Sequence, residues 1–235
     1  MTSSAGPAGP PVPPVPLEAC RFAVVDVETA GTRAQSGGRI LEVAVAILER
    51  GTVHLAYDAL LDPGLPVPPW VVRLTGITDG MVAGRPRFAD VAPALRRAWE
   101  GGVFVAHNAR FDWRVLAAEC VAAGVPGPAG APLCTIRLTR RLVPELRHRA
   151  LDAVATFFGV DNPARHRAFG DALATAYVLR ALIGRARERG VETLEQLIEV
   201  HDRTRHKLRI ADFGLRIGRP PFESAIRNPQ SEIPS

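Results

Sequence analysis

The chain reads as an α/β domain, a mixed sheet flanked by helices, on three observations. Apolar runs of β character open it at Phe22–Val25, Arg39–Glu49 and Thr52–Leu61. Beyond Arg87 the apolar period becomes helical, broken once by the short run Val103–Ala106. Finally, 47% of the 235 residues are apolar, enough for one domain with a sizeable core.

The first twenty residues carry six prolines and no apolar period, so residues 1–20 are expected to form an extended, poorly ordered lead-in. The fold is expected to begin at Arg21, where Phe22–Val25 runs into Asp26-Val27-Glu28. Arg50-Gly51 sits between the second and third strand stretches as a hairpin turn. Asp62–Pro69 reads as a proline-punctuated loop. Helical spacing over Phe88–Trp99 stops at Gly101-Gly102, Val103–Ala106 is a buried strand, and Phe111–Ala123 is a helix ended by Gly124. A Gly/Pro loop over 125–132 precedes helical stretches at Ile136–Leu142, Leu151–Phe158 and Phe169–Leu182. A last amphipathic stretch covers Leu194–His206. The domain is thus expected over 21–184, with 185–235 forming a C-terminal helix and a flexible tail.

The net charge is +5, and Lys207 is the sole lysine. The positive excess falls in residues 131–235. Such a balance suits a phosphate-rich partner, and a solvated basic surface has the same composition. Three cysteines (Cys20, Cys120, Cys134) match no zinc spacing. No apolar run reaches the roughly 18 residues that cross a bilayer, and the opening residues lack the charged start of a secretory signal. A cytoplasmic protein without a membrane partner is expected.

Three blocks carry candidate chemistry. Asp26 and Glu28 lie two apart on a strand, so both carboxylates face one side and repel unless a cation or a proton neutralises them. In His107-Asn108-Ala109-Arg110-Phe111-Asp112, the acid falls in the first turn of a helix. The helix dipole favours an acid there and Asn108 suits an N-cap, so capping and chemistry are both open. Phe111 suits either the core or a base-stacking platform. In His166-Arg167-Ala168-Phe169-Gly170-Asp171, Asp171 shares a helix face with Ala174, Thr175 and Val178, where an uncompensated carboxylate is costly. His166 precedes that helix in a loop, open to solvent or to a substrate.

Together, D-x-E, H-N-A-x-F-D and H-x-A-x-x-D resemble the three motifs of the DEDDh exonucleases, the DnaQ-like or RNase T-like family that includes polymerase proofreading subunits. The resemblance covers Arg21–Leu182, supported by Leu74-Thr75-Gly76-Ile77-Thr78 and Leu151-Asp152-Ala153. It implies an RNase H-like sheet of about five strands, the first three antiparallel. It also implies that Asp26, Glu28, Asp112 and Asp171 bind two divalent ions, Mg²⁺ or Mn²⁺, with His166 activating the attacking water and Glu28 sharing the catalytic role. Leu74, Thr75 and the backbone around Val27 and Thr29 match the region around the terminal nucleotide, and Asn108 and Phe111 match positions along the substrate groove. Arg167 stands where a sister subgroup has tyrosine, and Ala30 stands where many relatives have threonine.

The implied activity is 3′–5′ exonucleolytic hydrolysis of DNA, at single-stranded or frayed ends, releasing nucleoside 5′-monophosphates. An RNA-trimming enzyme is the alternative, because RNase T and oligoribonuclease share these motifs. A catalytically silent module that binds nucleic acid or docks on a polymerase is the second. The expected partners are DNA or RNA 3′ ends and a polymerase subunit reached through the C-terminal tail. The Arg140-Arg141 pair is a candidate for contact with phosphates.

Overall fold

The computed structural model describes residues 13–31 and 39–203. Five strands form one sheet: β1 (Arg21–Thr29), β2 (Ile40–Glu49), β3 (Thr52–Leu60), β4 (Val103–Ala106) and β5 (Leu133–Cys134). Among the described residues eight helices surround it: α1 (Pro69–Thr75), α2 (Asp79–Val82), α3 (Phe88–Trp99), α4 (Ala109–Ala122), α5 (Thr135–Leu142), α6 (Leu151–Phe157), α7 (Ala168–Arg187) and α8 (Leu194–Asp202). The strand order is β3-β2-β1-β4-β5. The first three strands pair antiparallel, and β4 and β5 join parallel to β1.

Strand parity builds two cores. Phe22 and Val24 of β1 lie with Ala44, Ala46 and Leu48 of β2 beneath α7. Ala23, Val25 and Val27 lie with Val43, Val45 and Ile47 beneath α3 and α4. Because both faces are covered, β2 is buried at all but its last residue and reads as a nearly continuous apolar run. Its hairpin to β3 turns at Arg50 and Gly51, both with positive φ (50° and 77°), the conformation that matches strand twist.

Strand lengths set up the crevice. β4 pairs with β1 only as far as Val24↔Val105, so Val25–Thr29 run on past the end of β4. The chain turns into α4 within three residues, placing that helix's first turn beside the unpaired stretch of β1. This is the carboxyl end of the parallel strands, where open α/β sheets form their ligand crevices.

Several edges differ from the sequence expectation. Leu17 and Cys20 are buried, with Leu17–Ala19 in a 3₁₀ turn. The Leu17 N–H donates to the Glu192 carbonyl (2.9 Å) and the Leu194 N–H to the Val15 carbonyl (2.9 Å). The expected loose lead-in is therefore corrected for Val15–Cys20, which hydrogen-bonds to the segment entering α8. Residues 1–12 and 204–235, which carry most of the expected lead-in and the tail, lie outside the described residues. α7 runs to Arg187, and α8 buries Leu197 in the α7-side core, so the packed body continues past residue 184. α1, α2 and β5 were not anticipated. The prolines before α1 read as loop, yet Pro69 stands at the helix start, where its missing N–H costs nothing, and Gly76 (φ 72°) ends the helix. Among the described residues no helix is long and apolar enough to cross a membrane.

Two glycines of α7 separate packing from propensity. A Cβ at Gly170 would stand 2.2 Å from the Ala164 carbonyl oxygen, whereas one at Gly184 would meet nothing within 4 Å. Gly170→Ala should destabilise the protein by about 1–3 kcal/mol through overpacking. Gly184→Ala should stabilise it by about 0.5–1 kcal/mol through helix propensity. Urea denaturation of both variants checks the opposite signs.

Candidate active site

The overhanging end of β1 carries Asp26 and Glu28, which by parity face the α7 side of the sheet. α7 brings Asp171 over them, and oxygens of Asp26, Glu28 and Asp171 all lie within 4.8 Å of one another. Asp112 enters from the first turn of α4 and is 3% exposed. Its carboxylate accepts the backbone N–H of Val27, an amide that β4 is too short to pair. Sequence blocks far apart in the chain thus converge at one crevice.

Electrostatics register the crowding. Burial pushes the Asp26 carboxyl well above the ordinary range, and Asp112, Glu28, Asp171 and Glu42 push the same way. Burial, Asp171 and Glu42 raise Glu28 to about 7, against a downward pull from Arg167. Burial raises Asp112 to about 8, opposed by its own N–H and that of Val27. Asp171 is raised by burial, although the Asn162 amide (2.6 Å) and the His166 N–H (3.2 Å) donate to its carboxylate. Hard oxygens that repel one another in a partly buried crevice are the donor set a divalent cation fits. The acidic cluster therefore points to divalent-metal use.

His166 sits half-buried on the loop before α7 with φ 59°, a left-handed backbone that side-chain-bearing residues rarely adopt. Its bond to Asp171 holds that turn, and the close approach of Ala164 to Gly170 seats the loop on the helix. The histidine is thereby fixed at the crevice rim, next to a carboxylate.

The other sequence candidates divide. Leu74 is 48% exposed at the end of α1, open to a ligand. Thr75 is 6% exposed; its hydroxyl donates to the Val71 carbonyl (3.0 Å) and accepts the Ile77 N–H (3.1 Å). The hydroxyl is thus taken up in shaping the turn after α1, which leaves the backbone at this position. Thr29 is likewise turned inward, donating to the Gly31 carbonyl (2.7 Å), and the Val27 side chain is buried in the α3/α4-side core, leaving backbone at these positions. Asn108 precedes α4 with φ 74° and makes no side-chain cap, so the N-cap alternative falls away and the side chain stays exposed. Phe111 is half-buried against the α4-side core. His107 bridges the end of β4 to Thr135 (2.8 Å) and to the Arg149 carbonyl (2.9 Å). A carbonyl can only accept, so Nε2 carries a proton, and burial lowers the ring's pKa. It is a structural bridge.

Sequence reasoning missed Glu42. It stands opposite Glu28 in the β1/β2 register and is 1% exposed. Arg167 clamps its carboxylate, Nε donating to Oε2 (3.0 Å) and Nη2 to Oε1 (2.6 Å), while the Ala168 N–H adds 2.8 Å to Oε2. The pair ties the His166 loop to β2 and keeps a fifth carboxylate from adding an unpaired charge to the crevice. The signal was present in the sequence: Glu42 shares strand parity with Ala44 and Ala46, an acid on a buried face.

Residues 23–179 match the exonuclease family of RNase T type. The chain is 30% identical over 177 residues to the 3′-5′ exonuclease DinG of Bacillus subtilis (strain 168), covering 75% of this chain and 19% of the relative. It is 34% identical over 182 residues to a PolC-type DNA polymerase III of Lacticaseibacillus paracasei, covering 77% of this chain and 12% of that protein. The chain spans about a third or less of the length of such curated relatives. Among solved structures, Exonuclease X in complex with 5′ overhanging duplex DNA superposes with a TM-score of 0.60 at 29% identity, over 77% of this chain and 99% of that one. The nuclease domain of 3′hExo, a DEDDh family member, has the same fold at 16% identity and a TM-score of 0.57. Over the matched residues, the family model and the crevice are those of an exonuclease domain. The chain belongs to the RNase T-type exonuclease family, and its five-stranded mixed sheet flanked by helices is an RNase H-like fold.

Two outcomes test this site without catalysis. Glu28 and Asp112 hold protons more tightly folded than unfolded, where carboxylates titrate near about 4. Their contribution to stability is present below that value and lost as pH rises through about 7 to 8. In EDTA the melting temperature should fall between pH 5 and pH 8, and Mn²⁺ or Mg²⁺ should raise it more at pH 8 than at pH 5. A flat, metal-insensitive profile would contradict the cluster. Separately, Arg167→Met strands the buried Glu42 charge and should cost about 3 kcal/mol. Adding Glu42→Leu should recover part of that loss in a double-mutant cycle by chemical denaturation.

Proposed function

We propose that this domain is a 3′–5′ exonuclease acting on DNA, removing nucleotides from single-stranded or frayed 3′ ends as nucleoside 5′-monophosphates. The observation that carries the reading is the convergence of Asp26, Glu28 and Asp171 within 4.8 Å, with Asp112 beside them and His166 at the rim. Support for DNA and for polarity comes from the relatives: one is a 3′-5′ exonuclease by name, and the solved structure at 29% identity holds 5′ overhanging duplex DNA.

Asp26, Glu28, Asp112 and Asp171 would hold two Mg²⁺ or Mn²⁺ ions. When bound, such ions lower the pKa of water and offset charge on the phosphoryl oxygens. The chain's own residues do the rest. His166 accepts a proton from the water that attacks phosphorus, and the 3′ oxygen of the penultimate nucleotide leaves. Asp171 orients His166 through the backbone hydrogen bond. Leu74, the backbone at Val27 and Thr29, and Asn108 with Phe111 face the terminal nucleotide and its neighbour. Four carboxylates around the site favour ligands that arrive with cations, and the Arg167–Glu42 pair keeps the fifth acid neutralised.

The relatives include polymerases, so proofreading within a larger assembly belongs to the same reading. The segment expected to reach a polymerase subunit, 204–235, lies outside the described residues.

Digestion of 3′- and 5′-labelled DNA and RNA oligomers with EDTA, Mg²⁺ or Mn²⁺ tests polarity, sugar and cofactor together. The expected result is metal-dependent loss of the 3′ label from DNA as mononucleotide. Preferential RNA cleavage, or release from the 5′ end, would overturn the assignment. Asp26→Asn should abolish turnover, and His166→Ala should lower kcat by about 10²–10⁴ while metal-induced thermal stabilisation persists.

A further inference from the structure

A second concave surface lies along α4, the helix that also carries Asp112. α4, α5 and α8 enclose a groove of about 560 Å³ floored by β5, and Asn108, at the entrance to α4, lines its rim. Arg110 and Arg114 line it from α4, and Arg137 and Arg140 line it from α5. All four arginines are exposed.

The charges are not paired off. Asp202 is the one acid lining the groove; it binds Arg137 (3.2 Å) and accepts from His201 Nδ1 (2.8 Å). Among the described residues Arg110, Arg114 and Arg140 have no ion-pair partner. Residues four apart, and three apart, sit side by side on a helix, where like charges repel. Two such rows face one concavity. Another large cleft, between the 3₁₀ turn and α7, differs: its Arg187 pairs with Glu18, and its Arg180 donates to the Gly51 carbonyl and stacks on Tyr177.

The groove wall is built to stay in place. His201 is buried and its Nε2 accepts the Cys134 N–H (3.0 Å), which ties the end of α8 to β5. The positive surface is thus a fixed concavity whose rim reaches Asn108, four residues before Asp112, and its net charge is opposite to that of the carboxylate cluster.

We propose that the α4/α5/α8 groove binds the phosphodiester backbone of the polynucleotide beyond its terminal nucleotide. This rests on the exonuclease reading for its register, with the 3′ end at the carboxylates and the groove taking phosphates farther along. Arginine forks suit phosphate oxygens, and three unpaired forks give the groove an anion preference that the carboxylate crevice lacks.

The test is a triple variant, Arg110→Gln, Arg114→Gln and Arg140→Gln, beside a control, Arg50→Gln with Arg180→Gln in the other cleft. Thermal melts show that both fold. Anisotropy of a labelled 20-nucleotide DNA strand in EDTA, across a salt series, reads binding without catalysis. The triple variant should lose about 2 from the slope of log K against log salt, at roughly 0.7 per phosphate contact, and the control should lose nothing. KM for the 20-mer should rise at least tenfold, while kcat/KM for a dinucleotide, too short to reach the groove, stays at the wild-type value. An unchanged salt slope in the triple variant, or an equal loss in the control, overturns the groove. Wild-type protein that binds with the expected slope but cleaves neither substrate would overturn the exonuclease reading and leave the groove standing. Repeating the series with a recessed 3′ end on a duplex decides which strand is held: a larger slope loss on the duplex assigns the complementary strand, and an equal loss assigns the cleaved one.

Discussion

Mutual repulsion among carboxylates at the end of β1 is the constraint around which this molecule is arranged. Asp26, Glu28 and Asp171 offer oxygens within 4.8 Å, and burial with neighbouring charge pushes all of them, and Asp112, towards the protonated form. Such a site costs stability unless protons or cations fill it. The surrounding features are ways of holding it together. β4 stops early so that Asp112 can take the Val27 amide, Asn162 and the His166 amide steady Asp171, and the Arg167 fork pairs with Glu42.

The sheet makes this possible by being finished elsewhere. β2 is buried on both faces, and α7 crosses β1 and β2 with small residues such as Ala172 and Ala176 against the strands. Those two layers supply the apolar burial that offsets a polar, self-repelling crevice at one end. Rigidity follows the same division: the His166 loop is seated by Gly170 and by the Glu42 clamp, so the rim residue is held by packing on one side and by charge on the other. A functional residue on a loop needs that double support if its ring is to stay in register with a reacting atom.

Charge separates the surfaces by task. The crevice gathers acids, whereas the groove along α4 and α5 gathers four arginines, of which only Arg137 has an ion-pair partner among the described residues. A ligand that is an anion with associated cations meets both conditions at once. The +5 net charge of the chain does not disclose this, because the sum hides two opposite local fields.

Much was legible from the order of residues alone. The β1–β2–β3 opening, the Arg50-Gly51 turn, α3, β4 and the bulk of α4 through α7 follow from local period and turn chemistry, which neighbouring residues decide between themselves. The three acidic blocks were visible too, because a carboxylate at a strand end or on an apolar helix face violates the pattern around it. Tertiary structure decided the rest. Only the β1/β2 register sets Glu42 opposite Glu28 and beneath Arg167, since a cross-strand partner is a long-range choice. Only packing turns Thr75 and Thr29 inward, pairs Val15–Cys20 with the entry to α8, and sets α4 beside α5 so that four arginines share one groove. Periodicity reports which face of an element is buried; what that face meets is fixed by the energy of the whole fold.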